Sequence, residues 1–178
     1  MQPHFQYDSH TLIALRSSVS PERLLRYEGI AAGDSAQALR LYMWNTALSE
    51  SLYGPIQGLE VTLRNKIHRR FTDQFSACWY DDARVGLQYA QRDQILRAKL
   101  SLQHQGKPLD PLLRKDVHRV LDEIRFLRNR VAHHEPILQR ALTQEHVLVL
   151  RAIAWLCTAT TSWVAHHSRF NVVYSARP

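Results

Sequence analysis

The sequence predicts an all-α fold: a single domain over residues 1–178, built as one helical bundle of about five helices with its core over about residues 10–168. Three observations carry this expectation. No stretch of any length alternates apolar and polar residues as a half-buried strand would. Apolar side chains recur instead at helical spacing, as in Ile56, Leu59, Leu63, Ile67 and Phe71. The punctuation between such runs is that of helix starts and stops, with no hairpin signal among it.

In chain order, Ser20 before Pro21 reads as an N-cap followed by a first-turn proline. The Gly33-Asp34-Ser35 step restarts the chain into a helix expected over about 36–53, which Gly54-Pro55 either kinks or divides from the next. The apolar spacing then continues to Phe71, and "SACWYDDARVGLQYAQRD" is less regular. A Gly and two Pro in "HQGKPLDPLLRK" place a loop near 104–111. Lys115 to His134 is expected as one helix, stopped near Glu135 because Pro136 disfavours helical geometry in the residue before it. Thr143 is expected to cap a last long helix reaching about Ser168, and residues 169–178 to form a frayed tail.

At 178 residues the chain is long enough to bury a core without disulfide or metal staples. Hydrophobic residues at 45% and charged residues at 22% exclude wholesale disorder. Lys plus Arg number 23 against 16 Asp plus Glu, a formal charge of +7 that favours a polyanionic partner such as nucleic acid, although a solvated surface has the same composition. The two cysteines, Cys78 and Cys157, form neither a zinc spacing nor a disulfide framework, so a reducing cytoplasm is the expected compartment. Residues 1–10 do not resemble a signal peptide. The most apolar tract, "HVLVLRAIAWLCTATTSWVA", is broken by Arg151 and reads as a buried helix, so no membrane partner is expected.

The segment "RFLRNRVAHHEPIL", Arg125 to Leu138, carries the candidate chemistry. On a helical wheel Val117, Val120, Leu121, Ile124, Leu127 and Val131 form a core stripe, and Arg128 lies within about 50° of its centre. A guanidinium there requires a partner, because it cannot lose its proton and is costly to desolvate. Glu60, on the apolar face of the earlier helix, is one candidate for Arg128. Arg64, four residues after Glu60, competes for the same carboxylate. A buried Glu60 to Arg128 pair would cost about 3 to 5 kcal/mol to break. His133 falls about 140° from Arg128, on the sector of Phe126 and Asn129. A phenylalanine on that sector suggests a partner surface, and a second copy of the same helix is the simplest one. The helix C-terminus favours a protonated His133 or His134, although a lone histidine there serves equally as a cap. A metal site built from "HHE" with His166 and His167 is the poorer reading, since adjacent helical side chains point about 100° apart. No cofactor is expected.

The stretch "LRNRVAHHEPIL" resembles the R-N-x3-H signature of HEPN domains, and its HHEP continuation resembles their abortive-infection (Abi-like) branch. "LYMWNTALSESLYGPIQGLEVTLRNKI" is similar to the first half of that branch, where a tyrosine, a Trp-Asn step and an L-E-x3-L-R-N helix recur. The likeness covers roughly residues 10–75 and 112–140. Between them, residues 76–111 lack the longer, aromatic-rich stretch usual in that branch. The resemblance implies a helical bundle that forms a homodimer along the motif helix. It further implies metal-independent endoribonuclease activity in anti-phage or toxin-like RNA cleavage in a bacterial cytoplasm, with a neutralising antitoxin as a further partner. It assigns the catalytic roles to Arg128, Asn129 and His133, and places Glu60 at the acidic position of the earlier helix. His134 and Glu135 are supporting residues, and Arg64, Lys66, Arg125 and Arg130 are candidates to carry the RNA backbone. A non-catalytic RNA-binding or RNA-sensing module of the same fold is the alternative.

Overall fold

The computed structural model describes residues 5–87 and 114–178, and every regular element among them is helical, as the sequence predicts. The loop expected at 104–111 lies outside the described residues. Helix α1 (Ser9–Val19) starts on Asp8, whose carboxylate accepts from the Thr11 N–H at 2.8 Å, and it buries no residue. Ser20 then turns the chain with a φ of 81°, and its hydroxyl accepts from the Arg23 N–H at 3.4 Å to open α2 (Pro21–Ile30), with Pro21 in the first turn. Leu24 and Tyr27 are the buried face of α2. Ala32 and Gly33, both at positive φ, reverse the chain, and the Asp34 carboxylate caps α3 (Ser35–Gln74) by accepting from the Gln37 N–H at 2.9 Å.

Helix α3 is the spine. Its 40 residues span about 60 Å at 1.5 Å per residue, and it is continuous across Gly54-Pro55, so that step does not divide two helices. Pro55 lacks an N–H for the Ser51 carbonyl, yet its ring is buried among Leu52, Ile56 and Leu59, and that packing keeps the helix continuous. After two short 3-10 turns, Trp79–Asp81 and Ala83–Val85, the chain is next described at α4 (Arg114–Ala132), followed by α5 (Leu142–Ala154), α6 (Thr158–His167) and α7 (Phe170–Ser175). Helices α2, α4, α5, α6 and α7 all pack on α3. The shared core includes Leu48, Leu52 and Ile56 of α3, Ile124 and Leu127 of α4, and Val149 and Ile153 of α5. Gly58 lets α6 approach, because a Cβ there would meet the Val164 side chain at 2.8 Å.

Three expectations for the C-terminal third are corrected. Thr143 is not a cap, since α5 begins at Leu142 with Ala141 before it and no side-chain cap bond. The expected single long helix is split, because the Leu156 and Cys157 N–H groups both turn back to the Ile153 carbonyl, at 2.9 and 2.8 Å, and Cys157 is extended. The Thr-rich run that follows suits a restart, as its hydroxyls bond locally, with Thr161 donating to the Cys157 carbonyl at 3.1 Å. The tail is not frayed. Phe170 is completely buried, and the Trp44 indole N–H donates to the Val173 carbonyl at 2.8 Å, which anchors α7 on α3. These splits, with the separate α1, give seven α-helices among the described residues where about five were expected. Among the described residues no helix is long and apolar enough to cross a membrane.

His146 connects this packing to pH. Its ring, only 6% exposed, stacks on Phe170 with centroids 4.4 Å apart, and Nε2 lies 3.1 Å from the Ser168 hydroxyl. Burial pushes its pKa below the ordinary 6.5. The unfolded chain therefore binds this proton more readily than the folded one, so the His146 contribution is intact above 6.5 and is lost as pH falls from there toward the lower folded value. Urea midpoints measured across that range should fall less steeply for His146→Gln than for the unaltered protein. Identical pH profiles would show that His146 does not carry the dependence.

Candidate functional site

The motif turn is built from the end of α4. The His133 N–H still reaches the Asn129 carbonyl at 2.9 Å, and His134 then takes a left-handed φ of 56°. The Glu135 N–H bonds the Arg130 carbonyl at 2.9 Å and the His134 N–H bonds the Val131 carbonyl at 3.3 Å, the paired closure that ends a helix on a left-handed residue. Pro136 keeps the chain from continuing the helix, as the sequence predicts. The Arg130 guanidinium folds over the turn, donating to the Pro136 carbonyl at 3.1 Å and standing 3.3 Å from the Glu135 carboxylate. Beneath it the buried Asn45 of α3 holds both sides of the turn: Oδ1 accepts from the Ile137 N–H at 2.8 Å and Nδ2 donates to the Glu135 carbonyl at 3.4 Å.

This turn forms one wall of an open cleft of about 440 Å³. Arg130, His133, His134, Glu135 and Pro136 line that wall, Tyr42 of α3 lines another side, and α2 contributes Glu22, Arg23, Arg26 and Tyr27. The Tyr27 and Tyr42 rings meet edge to face at 5.4 Å. Burial, and then the neighbouring Tyr42, push the Tyr27 hydroxyl up to about 12, so it stays a neutral donor. Three guanidinium groups and two imidazoles thus face two carboxylates, and one carboxylate, that of Glu135, is already neutralised by Arg130. Such a cleft suits a phosphate diester better than a cation. Among the described residues no group of three or more His, Cys, Asp or Glu side chains is arranged to hold a metal ion.

The other candidates divide around α4. Arg128 and Glu60 do pair, with Nε donating to Oε1 at 2.9 Å, which resolves the choice between Arg128 and Arg64 as the Glu60 partner. Their burial is corrected: the two side chains are 47% and 44% exposed. The wheel placed Arg128 too near the core because it counted Val117 and Leu121, which are only half-buried. The stripe that is buried comprises Val120, Ile124, Leu127 and Val131, centred about 70° from Arg128. Glu60 and Arg128 each follow a buried leucine, Leu59 and Leu127, and bridge the rim of the α3 to α4 contact. An exposed pair contributes about 0.2 to 1 kcal/mol, so Glu60→Ala should lower the unfolding free energy by no more than about 1 kcal/mol. A loss in the range of a buried pair, measured by urea denaturation, would contradict this rim geometry.

Arg128 therefore does not line the cleft that holds His133. Asn129, half-buried, contributes its carbonyl to the His133 N–H. Of the RNA-binding candidates only Arg130 reaches the cleft. Arg125 bonds Asp122 at 3.0 Å and lies 4.8 Å over the Phe126 ring, and Arg64 is exposed on α3. Lys66 adds a minor share to the lowering of the Cys157 thiol pKa, which hydrogen bonds from Thr160 dominate. Sequence reasoning missed Arg23 and Arg26. Their only local signal is that each directly precedes a buried residue, Leu24 and Tyr27, which sets them on the rim of the buried face.

The chain matches no protein-family model, and no curated protein or solved structure matches it.

Proposed function

We propose that the protein is a metal-independent endoribonuclease of the HEPN type, Abi-like, acting as a homodimer in anti-phage or toxin-like RNA cleavage in a bacterial cytoplasm. The observation that carries the reading is the cleft in which His133 and His134 stand beside Arg23, Arg26 and Arg130. In this reaction the ribose 2′-oxygen attacks the adjacent phosphorus and the bond to the 5′-oxygen breaks. One proton leaves the 2′-hydroxyl and one is delivered to the departing oxygen. His133 is the group able to carry either proton, and guanidinium groups stabilise charge on the non-bridging oxygens. The test is cleavage of total RNA in excess EDTA, which should leave 2′,3′-cyclic phosphate ends and spare DNA of the same sequence. Absence of cleavage at every protein concentration would remove the reading.

Phe126 bears on assembly. It is 55% exposed and shares the α4 sector of His133, so a seam between two copies along α4 would bury it and bring two His133 side chains toward one shared site. Phe126→Asp should then give monomers by sedimentation. A monomer mass for the unaltered protein at micromolar concentration would sink this assembly.

A second reading, a non-catalytic RNA-binding or RNA-sensing module of the same fold, is favoured by the Glu60 bond that holds Arg128 away from the cleft. Binding of RNA without cleavage would select it.

A further inference from the structure

We infer that Arg23 and Arg26 of α2 hold the RNA backbone in the cleft beside His133, taking the phosphate-gripping role at a point Arg128 does not reach. The inference rests on the reading of the cleft as an RNA site. Arg23 and Arg26 stand three residues apart, so their side chains leave one face of α2 as neighbours. Both line the cleft, together with the buried Tyr27. Among the described residues neither lies within salt-bridge distance of a carboxylate, whereas the other motif-related arginines are engaged: Arg128 by Glu60, Arg125 by Asp122 and Arg130 by Glu135.

The position of Arg23 and Arg26 is also fixed. Ser20 caps α2 at the Arg23 N–H, and Leu24 and Tyr27 anchor the adjoining face in the core, so the pair is presented on a rigid element. A planar guanidinium can bond two phosphate oxygens at once, and two adjacent ones suit successive phosphates of a single strand. Glu22 is the opposing charge in the same cleft, and its carboxylate is kept ionised by its own backbone N–H and the Ser20 hydroxyl. The side chains that hold the RNA backbone here thus come from a helix more than a hundred positions from the motif, separated from it along the chain but joined to it through Tyr27, Tyr42 and the Asn45 clamp.

The test uses the full chain and a short single-stranded RNA carrying 2′-O-methyl groups, which cannot be cut by attack of the 2′-oxygen. Its binding is followed by fluorescence anisotropy at several KCl concentrations. The double variant Arg23→Ala/Arg26→Ala should bind about tenfold or more weakly. Its salt dependence should flatten by about 1.4, two contacts at about 0.7 each for a single strand. Glu22→Gln should bind more tightly, and Arg119→Ala, an exposed arginine paired with Glu123 outside the cleft, should bind as the unaltered protein does. Unchanged affinity and slope in the double variant would overturn the inference, as would failure of the unaltered protein to bind the RNA at all. Normal binding that depends on Arg23 and Arg26, with no cleavage of natural RNA in parallel, would instead remove the nuclease reading and leave the inference standing.

Discussion

Replacing His133 by alanine is expected to reduce RNA cleavage by about a hundredfold or more, the range seen when a group that transfers a proton in the transition state is removed. His133 is exposed and bonded into the helix only through its backbone, so the substitution should leave the melting temperature almost unchanged. Arg128→Ala should cost as much if Arg128 exchanges Glu60 for a phosphate in the cleft of an assembled dimer, because it then stabilises charge that grows during the reaction. Arg64→Ala gives the contrast. The Leu63-Arg64-Asn65 echo has Arg69 where the motif has a histidine, and Arg64 lies outside the cleft, so most activity should remain. A fully active His133→Ala beside an inactive but folded Arg64→Ala would require the catalytic assignment to be dropped.

Much of the architecture is legible in local chemistry. Ser20-Pro21, Asp34 and Pro136 act where the sequence places them, because capping and proline geometry need only neighbours within a turn. The Glu60 to Arg128 contact is legible in part, since the sequence offers Arg128 and Arg64 as rival partners of Glu60 and the fold selects Arg128. Depth was not legible. A wheel assigns angles but not where a neighbouring helix stops covering the surface, and so Arg128 was placed inward when it lies at the rim. The docking of α7 was hidden for a related reason. Phe170, Val173 and Tyr174 have helical spacing, but six residues alone do not announce a helix, and what orders them is distant: the Trp44 indole, and His146 beneath Phe170. Arg23 and Arg26 have the same difficulty in a sharper form, because no local pattern says that α2 will face the end of α4. The site was therefore half legible, the motif wall from its residues and the opposing wall only from the fold.

The chief structural prediction concerns Asn45, whose amide is the joint between these two levels. Asn45→Ala should lower the unfolding free energy by about 1–3 kcal/mol, mostly because the Ile137 N–H is left without an acceptor in a place water does not reach. The Glu135 carbonyl loses its bond as well, but Glu135 is only partly buried and the bond is longer at 3.4 Å, so hydration offsets much of that loss. Asn45→Asp should not rescue the fold: it keeps an acceptor for Ile137, removes the donor to Glu135 and buries a charge beside the Glu135 carbonyl. Because the clamp also sets the height of the turn bearing His133 and His134, RNA binding by Asn45→Ala should weaken even at temperatures where the protein is fully folded. Asn65→Ala is the matched control, an asparagine of the same helix, about two turns past Gly58, that lies outside the cleft. If the two alanine variants melted alike in urea, Ile137 packing rather than the Asn45 amide would be what holds the motif turn to α3.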